Sequence, residues 1–149
     1  MSADGFAERL MRSGAESQQQ RAVARGKVIF SLVRPALLEL MKDNPDILFV
    51  ASAGNGNQSA DVAGRAPQTF DLPNLVIAGA AGSSGGPTGF TTFGQEVDIY
   101  APGEGIKVRA PGGMIMRASG TSFASPKVAR TAASMLAVNP NLKPDAIID

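Results

Sequence analysis

An α/β fold, with a mostly parallel sheet flanked by helices, is predicted by three features of this 149-residue sequence. Residues 47–51 and 75–80 are short apolar runs of strand length that do not alternate with polar residues, and 97–101 reads as a third strand. Such runs suit strands buried on both faces of a parallel sheet. Two longer segments, residues 1–45 and 121–138, carry apolar residues at helical spacing instead. The stretches between, notably 54–67 and 82–89, are dense in Gly, Ser, Asn and Pro and read as loops.

Taken in order, the first segment is helical from Phe6, Leu10 and Met11 through Val28, Ile29, Leu32, Val33, Leu37, Leu40 and Met41. Gly14 and Gly26 weaken it, and Pro35 is expected to kink the helix or start a new one. Asn44-Pro45 ends it, because the residue before a proline avoids the helical region. The strand at 47–51 runs into Ala53-Gly54-Asn55, and the strand at 97–101 stops at Pro102-Gly103. From Thr121 a helix begins whose first turn is expected to hold Ser125, Pro126 and Lys127, with Ala124, Val128, Ala132 and Met135 on one face. Asn139-Pro140-Asn141 breaks it, and residues 143–149 start another helix. The whole reads as one domain, with residues 1–45 a helical N-terminal segment and 46–149 its strand-bearing part.

Composition removes several functions. Fourteen basic and thirteen acidic residues leave a net charge of +1, with no basic stripe, so nucleic acid is not an expected partner. No apolar run is long enough to cross a bilayer as a helix. There is no cysteine, hence no disulfide and no thiolate metal site. There is also no histidine, which excludes a histidine-based triad or a histidine-ligated metal within this chain.

The segment Gly120-Thr121-Ser122-Phe123-Ala124-Ser125-Pro126 carries the chemistry. It sets a serine among small residues at the opening of a long helix. There the free backbone N–H groups and the positive helix end favour developing negative charge. A serine so placed can act as a nucleophile whose own N–H helps hold an oxyanion. The plainer use of Thr121 or Ser122 is as a helix N-cap.

The full string resembles the nucleophile motif of the subtilases, Gly-Thr-Ser-x-Ala-x-Pro followed by an apolar helix. Ala53-Gly54-Asn55 after a buried strand is similar to that family's oxyanion-hole motif. Phe93-Gly94, residues 97–101 and Pro102-Gly103 resemble the strand and turn between the two, all in family order. The resemblance covers residues 46 to the C-terminus and implies a subtilisin-like three-layer fold whose first strands are missing from this chain. It implies Ser122 as the nucleophile, and Asn55 with the Ser122 N–H as oxyanion donors. It further implies Ser52, Ala53 and Gly54 as one wall of the pocket for the side chain before the cleaved bond. The implied substrate is a peptide or protein, and the implied location is outside the cytoplasm. No organic cofactor is implied; the family admits calcium, for which no ligands are assigned here.

The family's Asp and His contexts do not occur in this sequence, so the chain alone is expected to be inactive. Lys127 lies five residues beyond Ser122, about 140° around a helix, and reads as a surface lysine rather than a base. Two kinds of partner follow: an N-terminal half that supplies Asp and His, or further copies joined through an exposed sheet edge. The second belongs to an alternative reading, a non-catalytic peptide-binding or assembly module.

Overall fold

The computed structural model describes residues 18–60 and 66–148. The first seventeen residues of the expected N-terminal helical segment therefore lie outside the described residues. The chain divides into two compact units, Met1–Leu40 and Met41–Asp149. The first carries most of helix α1, Gln18–Asp43. Pro35 lies inside α1 and neither ends it nor starts a second helix. A proline removes one intrahelical hydrogen bond, and the turns on either side remain intact.

The second unit is built on a three-stranded parallel sheet in the order β1-β2-β3. Its strands are β1 (Phe49–Ser52), β2 (Leu75–Ala81) and β3 (Ile99–Pro102). The register pairs Phe49 with Leu75 and Ser52 with Ala78, then Ala78 with Ile99 and Ala81 with Pro102. All three carboxyl ends therefore lie at one end of the sheet, where open parallel sheets commonly form their sites. The outer strands begin two residues later than the apolar runs suggest. Residues 45–47 form a turn instead, and Asp98 spends its carboxylate on the Ile77 N–H at 2.6 Å.

Burial on both faces holds only for β2, every residue of which is buried. β1 is half-buried throughout and β3 is partly exposed, as edge strands pairing on one side only. The small side chains of β2 let its neighbours come close. A Cβ on Gly79 would stand 2.5 Å from the Tyr100 ring, and one on Gly103 would stand 2.7 Å from Ala80 Cβ and 2.9 Å from the Gly120 carbonyl. Glycine at 103 thus lets the chain leaving β3 touch both the central strand and the start of the next long helix.

That helix, α2 (Thr121–Val138), packs across all three strands. Its buried residues are Thr121, Ala124 and Ala132. Met135, expected on the same face, is exposed. Pro126 is the sixth helical residue, not a first-turn residue as its sequence position suggested. The helix opens at Thr121, so Pro126 withholds the N–H that would bond to the Ser122 carbonyl. A short helix, α3 (Pro144–Ile148), ends the described chain. Lys143, just before it, pairs with Asp46 at 2.9 Å. That hydrogen bond and the carboxylate's charge raise the lysine's pKa.

Between β3 and α2 the sequence makes an antiparallel hairpin that the apolar-run reading did not mark: β4 (Ile106–Arg109) and β5 (Ile115–Ala118). Its turn closes with the Ala110 N–H donating to the Met114 carbonyl at 2.8 Å, and Gly112 and Gly113 both adopt positive φ. Only glycine enters that region freely. Alternating Ile106-Lys107-Val108-Arg109, then Pro111-Gly112-Gly113, was the signal that could have found it.

Candidate active site

The segment 53–55 leaves the carboxyl end of β1, and residues 119–122 enter α2 above the same end of the sheet. Their meeting is fixed by a compact set of hydrogen bonds. The Ala53 N–H extends the ladder by donating to the Ala78 carbonyl at 2.9 Å. Gly54, at φ 109, turns the chain: its N–H donates to Thr121 Oγ1 at 3.2 Å and its carbonyl accepts the Thr92 N–H at 2.8 Å. Asn55 Oδ1 then accepts two bonds from Thr121, from the backbone N–H at 2.9 Å and from Oγ1 at 3.0 Å.

These bonds settle how the asparagine amide points. With Oδ1 held by two donors, Nδ2 is the end turned outward, and it has no acceptor among the described residues. They also answer the capping question. Gly120 occupies the N-cap and no side chain caps the helix; the orphan Thr121 N–H is satisfied by Asn55 from 66 residues away. Thr121 is buried, 1% exposed, so it holds the asparagine from the protein side. Ser122 and Asn55 are both exposed. Neither Ser122 Oγ nor the Ser122 N–H has a partner among the described residues.

Gly120 shows how closely these groups converge. A Cβ built there would lie 3.2 Å from Ser122 Oγ and 3.3 Å from Asn55 Nδ2. A free hydroxyl and a free amide donor therefore both lie against Gly120, beside a helix N-terminus. Donors gathered at a helix N-terminus suit a small group that carries negative charge.

A family profile described as the subtilase family, peptidase S8, matches residues 12–148. The chain belongs to the subtilase family. Its relatives include the subtilisin-like serine protease Pen ch 13 of Penicillium rubens, 40% identical over 58% of this chain and 21% of that protein. Another, the subtilisin-like serine protease Pen c 1 of Penicillium citrinum, is 31% identical over 84% of this chain and 30% of that protein. A crystal structure of a cold-adapted subtilisin-like serine proteinase superposes with a TM-score of 0.58 at 36% identity, covering 65% of this chain and 34% of that one. The fold is thus the subtilisin-like α/β fold, and this subtilase chain spans a fifth to a third of the length of these relatives.

Other residues of this subtilase segment take places that bear on the site. Ser52, Ala53 and Gly54 lie side by side where β1 runs out. Ala53 is buried, and the Ser52 carbonyl accepts Gln68 Nε2 at 2.6 Å. Lys127 turns away to the end of β3, its Nζ donating to the Pro102 carbonyl at 2.7 Å. The orienting role of Thr121 had no separate signal in the sequence, where the residue reads equally well as a cap. Among the described residues no three acidic side chains gather as a metal site.

Proposed function

We propose that this chain is the nucleophile and oxyanion part of a serine endopeptidase domain that cleaves peptide bonds by acyl transfer. The observation that carries the reading is that Ser122 Oγ and Asn55 Nδ2 lie side by side against Gly120, with the amide oriented by Thr121. Ser122 Oγ adds to the scissile carbonyl carbon as its proton passes to a base. The resulting oxyanion takes hydrogen bonds from the Ser122 N–H and Asn55 Nδ2. Collapse breaks the C–N bond, the amine leaves with the proton, and water repeats the sequence on the acyl-serine. Removing one such donor costs about 10²–10³ in turnover, a magnitude established on a subtilisin asparagine rather than on this chain.

The base is a histidine paired with an aspartate, and this chain contains no histidine. Both come from a second polypeptide segment, and the chain alone is inactive: without a triad member only a residual ~10³–10⁴-fold rate over water remains. Ser52, Ala53 and Gly54 form one wall of the pocket for the side chain before the cleaved bond. The substrate is a peptide or protein, the site of action is outside the cytoplasm, and acyl transfer by these residues calls for no cofactor.

Mixing the chain with the N-terminal half of a homologous subtilase and adding a fluorescent fluorophosphonate tests this directly. Labelling is expected in the mixture, not in the chain alone, and is abolished by Ser122→Ala. A folded complex that takes no label sinks the peptidase reading. One observation favours the second reading, a non-catalytic binding or assembly module: β1 pairs on one side only, leaving an edge that can take another strand. Strand-dependent association without labelling is what that module gives.

A further inference from the structure

The hairpin β4–β5 carries three charged side chains, and all three are basic. The register places Lys107 directly opposite Arg117, and Arg109 opposite Ile115, so Lys107, Arg109 and Arg117 stand on one face. All three are exposed, and among the described residues none has a carboxylate partner. Glu104, the nearest acid in sequence, is turned back toward Gly82. Like charges directly opposite in an antiparallel pair destabilise it, so the hairpin holds an arrangement that its own folding disfavours. Beside the charges, Met114 and Ile115 are 65% and 55% exposed, an apolar margin at the tip of the same element.

This face adjoins the site. Arg117 Nη1 donates to the Gly105 carbonyl at 2.7 Å, the Gly105 N–H donates to Ser119 Oγ at 2.9 Å, and the Gly120 N–H donates to the Gly103 carbonyl at 2.8 Å. The guanidinium thus rests on the 103–105 turn, which is itself tied to Ser119 and Gly120. The hairpin leaves the end of β3, whereas Ser52, Ala53 and Gly54 leave the end of β1, two inter-strand spacings or roughly 10 Å away, with α2 lying across all three strands.

We propose that Lys107, Arg109 and Arg117 form a docking face for acidic residues of a bound peptide. The proposal rests on the peptidase reading for the peptide itself and on the unpaired charges for its chemistry. Carboxylates of an Asp- or Glu-bearing segment relieve the Lys107–Arg117 repulsion, and the exposed Met114 and Ile115 cover its apolar side chains.

The test is binding, read by fluorescence anisotropy on the full chain carrying Ser122→Ala, so that it does not depend on the nucleophile. The probes are a fluorescein-labelled alanine-rich peptide ending in a run of glutamates and its twin ending in glutamines. The glutamate peptide is expected to bind about tenfold more tightly at low salt, with the advantage shrinking as salt rises. K107E/R109E/R117E is expected to erase the preference, and K27E/K42E/R130E, with the same charge change elsewhere, to keep it. Should the reversed variant fold poorly by circular dichroism, K107Q/R109Q/R117Q replaces it with the same expectation. No preference for glutamate, a preference untouched by the hairpin substitutions, or one lost equally in the control overturns the proposal. Failure of fluorophosphonate labelling with charge-dependent binding intact counts against proteolysis alone; labelling without such binding counts against the hairpin alone.

Discussion

Thr121 does more at the site than its neighbours suggest. Its hydroxyl accepts from the Gly54 N–H and donates to Asn55 Oδ1, and its backbone N–H donates to the same oxygen. Valine has the same shape without the hydroxyl. Thr121→Val leaves the part-buried Gly54 N–H without an acceptor, and leaves Asn55 held by one bond. An unmade buried bond of this kind costs about 1–3 kcal/mol, so the chain should melt at lower temperature. In the two-part complex, fluorophosphonate labelling should slow because the amide is no longer fixed toward the oxyanion. Thr121→Ser keeps the hydroxyl and should restore the labelling rate, which separates orientation from packing. Valine labelling as fast as threonine would remove Thr121 from the mechanism. At this scale the two strings that meet, 53–55 and 120–122, stood out in the sequence because each is short and specific. The role of Thr121 did not, because its work is done on a partner 66 positions away.

Among the elements, the parallel strands and both ends of α2 were legible, since apolar runs and the Asn139-Pro140 break report local preference. The hairpin was harder to see because four-residue strands on the surface bury little and leave only a faint alternation. The exit of α1 depends on a residue that no local pattern singles out. Asn74 is 3% exposed, and its Nδ2 reaches the carbonyls of Met41 at 3.0 Å, Asn44 at 3.0 Å and Ile47 at 3.1 Å. One amide thereby ties together carbonyls at the helix end and in the turn that leads to β1, two of which also accept a backbone N–H. Asn74→Ala should lower stability by about 1–3 kcal/mol in urea unfolding, because the Ile47 carbonyl loses its donor and the Met41 and Asn44 carbonyls keep only the Asn44 and Ile47 N–H groups. Asn74→Asp should be worse at neutral pH, since a carboxylate would face three carbonyl oxygens. Equal midpoints for Asn74, alanine and aspartate would show that the turn holds without the amide.

For the whole molecule, the sheet's order leaves β1 with an outer edge on which a further segment can dock. Backbone groups of a strand point alternately to its two sides. Phe49 and Ala53 give their N–H groups to the carbonyls of Asn74 and Ala78 on the β2 side. The Val50 and Ser52 N–H groups therefore point to the free edge. There the Ser52 carbonyl is already covered by Gln68 Nε2, which leaves Val50 at the open part of the edge. Composition could indicate the parallel sheet but not which strand would be left unpaired, because strand order is set by contacts between distant segments. If the segment that brings the Asp and His docks as a new strand on β1, its ladder needs the Val50 N–H. Val50→Pro removes that donor and none of the β1–β2 bonds, and proline is tolerated on an edge strand whose N–H faces outward. The variant should keep the melting temperature of the isolated chain within a few degrees, as expected of a change worth under about 1 kcal/mol. It should nonetheless lose most of the labelling recovered on mixing with the N-terminal half, and size-exclusion chromatography should show less complex. Complementation as efficient as that of the parent chain would mean that the missing segment docks elsewhere, and the edge of β1 would then belong to the assembly reading alone.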